Sequence, residues 1–90
     1  MTRRPRKSIK ERALEADHAS RRATARLSDA EERQFVAALD YDKRPTCAGW
    51  ERLKTAMERR MKAHERAQAA LDKFNDLVEK SYACGEQYRV

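Results

Sequence analysis

From Trp50 to Cys84 the chain reads in sevens: WERLKTA, MERRMKA, HERAQAA, LDKFNDL, VEKSYAC. Lettering Trp50 as a, the a column is Trp50, Met57, His64, Leu71 and Val78. The b column is acidic throughout (Glu51, Glu58, Glu65, Asp72, Glu79) and the c column basic throughout (Arg52, Arg59, Arg66, Lys73, Lys80). A sustained period of seven forms a stripe only on an α-helix; on a strand the same residues scatter over both faces. A strict seven also implies a left-handed supercoil. The helix so predicted, about residues 47–84 with Gly85 as its stop, is roughly 54 Å long at 1.5 Å per residue. A chain of 90 residues cannot surround such a rod, so something must lie along it.

The remaining columns say what. Position d holds Leu53, Arg60, Ala67, Phe74 and Ser81, and position g holds Ala56, Ala63, Ala70, Leu77 and Cys84. The buried stripe is therefore expected to span a, d and g, with Trp50, Leu53, Met57, His64, Leu71, Phe74 and Val78 as its helix-interface residues. A stripe of this width suits a bundle or hairpin, and alanines at g permit close approach. Arg60, at d, is expected to snorkel out or face an acid.

A companion exists upstream. Ile9, Ala13, Ala16, Ser20, Ala23 and Leu27 alternate by four and three, and Ser8-Ile9-Lys10-Glu11 matches a capping box that would start a helix over residues 8–27. A second box at Ser28–Glu31 predicts a separate helix over residues 28–40, its apolar face being Phe35, Val36 and Leu39. Asp40–Pro45 reads as a turn, and Thr46 as the cap of the long helix. The expected fold is all-α: a helical hairpin or bundle dominated by one long C-terminal heptad helix. It forms a single domain over residues 8–85, with a basic disordered arm at 1–7 and a frayed tail at 86–90. At 40% hydrophobic and 7% aromatic residues, a chain this short builds little core alone, so a homodimer is expected.

Net charge is +6, distributed as +5 over residues 1–22, −3 over 23–42, +5 over 43–66 and −1 over 67–90. Two basic blocks flanking an acidic one point to a polyanion, nucleic acid first. The b and c columns lie side by side, and neutralisation of each basic residue by its acidic neighbour reads them as a solvated face. The expected phosphate contacts are then Arg3, Arg4, Arg6 and Lys7 of the arm, Lys10, Arg12, Arg22 and Arg26 after it, Lys43 and Arg44 at the turn, and Lys54, Arg60 and Lys62 on the long helix.

Other chemistries lack support. Cys47 and Cys84 stand 37 positions apart with no CxxC or Cys/His spacing, so neither a zinc site nor a disulfide framework is expected. No Gly-rich phosphate loop, nucleophile motif or metal-ligand cluster occurs, so the reading is non-enzymatic with no cofactor. No apolar run reaches membrane-spanning length and the basic N-terminus lacks a signal-like apolar segment, giving no membrane partner and a cytoplasmic address.

One stretch reads a second way. Arg22-Ala23-Thr24-Ala25-Arg26-Leu27-Ser28 resembles the strand of the ribbon-helix-helix DNA-binding family, with Ala23, Ala25 and Leu27 turned to a dimer core. The resemblance implies that Arg22, Thr24 and Arg26 read the major groove, with Asp29–Leu39 as the first helix and the segment opened by Thr46 as the second. It covers about 35 of 90 residues; alanines stand where β-branched residues are usual, and the heptad helix exceeds the family's second helix. The alternative fold is thus a ribbon-helix-helix with a helical extension.

The functional expectation is a small basic nucleic-acid-binding protein, DNA before RNA, that regulates transcription or assists plasmid or phage DNA processing. The alternative is a helical adaptor or inhibitor, antitoxin-like, whose long helix grips a protein partner.

Overall fold

The structure is a computed structural model and describes residues 7–83. Arg3, Arg4, Arg6, the tail, Cys84 and Gly85 lie outside the described residues. Ser8, extended at φ −64° and ψ 160°, starts the first helix, its hydroxyl accepting from the Glu11 N–H at 3.1 Å. The expected cap is therefore formed, relieving an orphan donor of the first turn. Helix α1 runs Ile9–Lys43, and the Arg44 N–H closes it on the Asp40 carbonyl at 2.9 Å. Pro45 bars further helix. The Thr46 hydroxyl then accepts from the Gly49 N–H at 2.9 Å and opens α2, Cys47–Ala83. Two helices and one tight turn make an antiparallel hairpin, all-α among the described residues.

Three expectations change. Ser28 does not open a helix: α1 passes straight through it, so the two helices over 8–27 and 28–40 are one. A serine inside a helix costs only a few tenths of a kcal/mol, and no Pro or Gly lies near to break the run; continuity keeps one stripe docked on α2. The turn shortens accordingly, because α1 continues to Lys43 rather than ending at Asp40. Residues 22–28 are helical, not the strand of the ribbon-helix-helix alternative. Thr24 is the only β-branched residue there, and its hydroxyl donates to the Ser20 carbonyl at 2.9 Å, one turn back.

The seam is regular. On α1 it comprises Ile9, Ala13, Ala16, Ser20, Ala23, Leu27, Ala30, Gln34, Ala37 and Tyr41, a four-three alternation that extends the expected one to the end of the helix. On α2 it comprises Gly49, Leu53, Ala56, Arg60, Ala63, Ala67, Ala70, Phe74, Leu77 and Ser81. All are buried or half-buried. The second set is columns d and g alone. Of the expected interface residues, Leu53, Phe74 and Val78 are half-buried, whereas Trp50, Met57, His64 and Leu71 of column a are exposed. Small side chains explain the narrowing: α1 approaches so closely on alanines that a single helix covers only two columns. Phe35, Val36 and Leu39, expected to face the core, are exposed because the continuous α1 turns its alanine stripe to α2 instead.

The buried hydrophobic residues are Ala13, Ala16, Ala67 and Leu77, with Phe74 and Val78 packed beside them. At the turn, the Tyr41 and Trp50 rings meet with centroids 5.7 Å apart and planes tilted 53°. Gly49 is buried under this corner: a Cβ there would stand 3.1 Å from Thr46 Oγ1 and 3.6 Å from Tyr41 Cδ2. The hairpin measures 59 × 32 × 15 Å, which is one helix deep.

Candidate nucleic-acid interface

With α1 on columns d and g, the other columns of α2 acquire fixed places, since successive residues turn by about 100°. Column c flanks the seam on one side and column a on the other. Column b points directly away from α1.

The c-side flank is a long groove between the helices. Arg52, Arg59, Lys62 and Arg66 line it from α2, and Arg26 and Arg33 from α1. Its floor is Ala30, Ala37, Ala56 and Ala63, and Asp29 is the single acid among its lining. The groove is open and about 700 Å³ in volume, a shape for a strand lying along it rather than an enclosed small molecule. Toward the turn, the same side carries Lys43 and Arg44 beside Asp40 and Arg52. Toward the free ends, Arg12 and Lys73 continue it beside Glu15. Arg22 precedes Arg26 by one turn and shares its side of α1.

The groove's cations are available. The ion pairs Arg21–Asp17 at 3.3 Å, Lys80–Asp76 at 3.0 Å and Lys7–Glu15 involve none of the six basic lining residues. The hydrogen bond from Lys7 holds the Glu15 carboxyl below its ordinary pKa, and Glu15 raises that of Lys7 in return. Column b lies about 100° round the helix from column c, and Glu58 stands one turn before Lys62 of the groove, an i,i+4 spacing at which the two side chains are neighbours.

The expected contact residues thus separate. Arg26 and Lys62 lie in the groove, Arg12, Lys43 and Arg44 at its two ends, and Arg22 beside it. Arg60 is turned into the seam, where it is half-buried and its Nε donates to the side-chain Oε1 of half-buried Gln34. Lys54, on column e, lies on the a-side, and so does Lys10, which shares a column with Thr24. Arg33, Arg52, Arg59 and Arg66 are groove residues the charge pattern hid. The signal that finds them is the position of the smallest side chains: Gly49, Ala56, Ala63 and Ala70 at g fix the seam beside column c.

On the a-side, Thr24 and Leu27 of α1 and His64, Gln68 and Leu71 of α2 line a shallow hollow. Trp50, Met61, Leu71 and Tyr82 are 45%, 55%, 42% and 60% exposed there. No group of His, Cys, Asp or Glu able to hold a metal occurs among the described residues, and none of their helices is long and apolar enough to cross a membrane. The chain matches no protein-family model, no curated protein and no solved structure.

Proposed function

We propose that this protein is a non-enzymatic nucleic-acid-binding protein that grips the phosphate backbone along the c-side groove. The observation that carries the reading is the convergence of Arg26, Arg33, Arg52, Arg59, Lys62 and Arg66 on one groove, against Asp29 within it and Glu32 and Asp40 in the hollow that adjoins it toward the turn. Cations on two antiparallel helices form two rows, and successive column c residues rise by about 10.5 Å. Rows of this kind neutralise consecutive phosphates and release their counterions, a sequence-independent grip. The alanine floor admits a backbone and offers no side chain for reading base edges, so affinity here comes from charge rather than sequence. Duplex DNA is the favoured ligand, its uniform backbone presenting phosphates at regular intervals to a straight hairpin. The basic arm adds to the grip without supplying it.

The test is fluorescence anisotropy with a labelled duplex over a salt series. Neutralising about six phosphates gives a log–log salt slope near −5 and roughly a thousandfold loss between 50 and 200 mM salt. The variant Arg33→Gln/Arg59→Gln/Arg66→Gln lowers that slope by about three. An unchanged slope in the triple variant, or full loss of binding on deleting residues 1–6 alone, refutes the groove as the site.

A further inference from the structure

The a-side flank of α2 carries two columns, a and e, that alternate by four and three from Trp50 to Tyr82 and are exposed at every position except half-buried Val78. About a midpoint at Arg66 three of their five pairs match in chemistry, while Lys54 falls opposite Val78 and Met57 opposite Asn75. His64 and Gln68 flank the centre, Met61 and Leu71 follow outward, and the aromatic rings of Trp50 and Tyr82 stand at the two ends, all of these residues exposed. A twofold axis through the midpoint brings each of these three matched pairs together across two copies.

We propose that a second copy of this chain covers this flank, α2 against α2 and antiparallel, with the twofold axis passing between His64 and Gln68. Met61 then packs on Leu71 of the partner subunit, and Trp50 on Tyr82 of the partner subunit. His64 meets Gln68 of the partner subunit, and a central hydrogen-bonding layer of this kind fixes register in paired helices.

Helix α1 supplies an independent check. Thr24 lines the same hollow as His64 and Gln68, so the axis crosses α1 between Thr24 and Ser28. Arg21 consequently stands level with Glu31 of the partner subunit, and Lys10 with Asp42 of the partner subunit. Both pairs are of opposite charge, whereas Asp17 falls level with Phe35 of the partner subunit. Arg21 is already oriented by Asp17 at 3.3 Å, so it bridges acids of the two copies. A face two helices wide, with axes about 9 Å apart and a stripe about 48 Å long, amounts to on the order of 800 Å² per copy, the size of a standard stable interface.

The need is visible in the single hairpin, where the buried hydrophobic residues are three alanines and one leucine. Pairing through the a-side converts a layer one helix deep into a four-helix bundle. The two basic grooves are left on opposite outer faces. The proposal stands whatever those grooves bind.

Sedimentation of the full chain tests the pairing, and cysteine cross-linking tests the register. In a Cys47→Ser/Cys84→Ser background, Met61→Cys with Leu71→Cys forms a covalent dimer under mild oxidation, whereas either change alone does not. Two copies of residue 61 stand about 15 Å apart in this register, beyond disulfide reach. Arg21→Glu weakens the dimer by at least about fivefold, and adding Glu31→Arg restores it, since both positions are exposed and each pair occurs twice. Circular dichroism matching the parent shows that the variants keep their helices. A monomer at high micromolar concentration overturns the proposal, as does cross-linking of Met61→Cys alone at the rate of the double variant, or a charge swap that restores nothing.

Discussion

The two flanks of this hairpin are built from the same heptads, two positions apart, and differ in the side chains that α2 displays on them. On the c-side, long cationic side chains rise from an alanine floor, and column b lies about 100° round the helix from them. On the a-side, the prominent side chains of α2 are Trp50, Met57, Met61, Leu71 and Tyr82, with His64 and Gln68 at the middle and the charged Lys10, Arg21 and Glu31 on α1. The first surface attracts at long range and is screened by salt; the apolar part of the second attracts only on contact and is strengthened by kosmotropic salts such as sulfate. One helix can therefore address two partners without their competing, provided a third column pair fixes its rotation. Columns d and g do that here.

The largest effect expected from breaking this division is on the basic side. Arg33→Gln/Arg59→Gln/Arg66→Gln should lower duplex affinity by two to three orders of magnitude at about 50 mM salt, read by anisotropy, while leaving the sedimentation coefficient of the free protein unchanged. Coupled losses of both properties would mean that the flanks are not separate. A change in the seam must instead disturb both. Leu77→Ala removes the one large side chain among the buried hydrophobic residues and should cost about 2–3 kcal/mol in urea unfolding, lowering duplex binding and self-association together.

These contrasts bear on what the sequence made legible. Periodicity made legible the helix expected over 47–84 and seen over Cys47–Ala83, and the small-residue stripe of Ile9–Leu27; residue type made legible the caps at Ser8 and Thr46, because repeats and caps are local. Rotation about the helix axis was not local. The a column drew attention because Trp50 and Leu71 are large, yet an alanine stripe on α1 selects the columns against which it can approach most closely, and those are d and g. That choice sets Arg52, Arg59 and Arg66 of the exposed c column along the rim of a groove. Ser28 misled for a related reason: a capping box is a local preference, and a continuous seam over ten α1 positions outweighs it.

Smaller perturbations sharpen the same picture. Thr46→Ala removes the acceptor for the Gly49 N–H and should cost about 1 kcal/mol, seen as a lower thermal midpoint with both flanks intact. The smallest effect concerns Lys7 and Glu15, both fully exposed. Glu15 titrates below its unfolded value, so its contribution is present above the ordinary carboxylate pKa and is lost as pH falls through the lower folded one. Lys7→Ala should abolish that pH dependence, followed by NMR titration of Glu15, and change neither flank.

The alanine seam also carries a hazard of its own making. Ala23, Ala30 and Ala37 on α1 and Ala56, Ala63 and Ala70 on α2 repeat at seven-residue steps, so sliding one helix by a heptad would replace alanine contacts with nearly identical ones. Such an interface measures separation well and position poorly. Position is set by what does not repeat: the turn at Arg44–Thr46, the Tyr41 ring against Trp50, and Gln34 accepting from Arg60. Lengthening the turn by a few glycines should therefore leave the helices helical and paired while letting the two rows of arginine slip out of step.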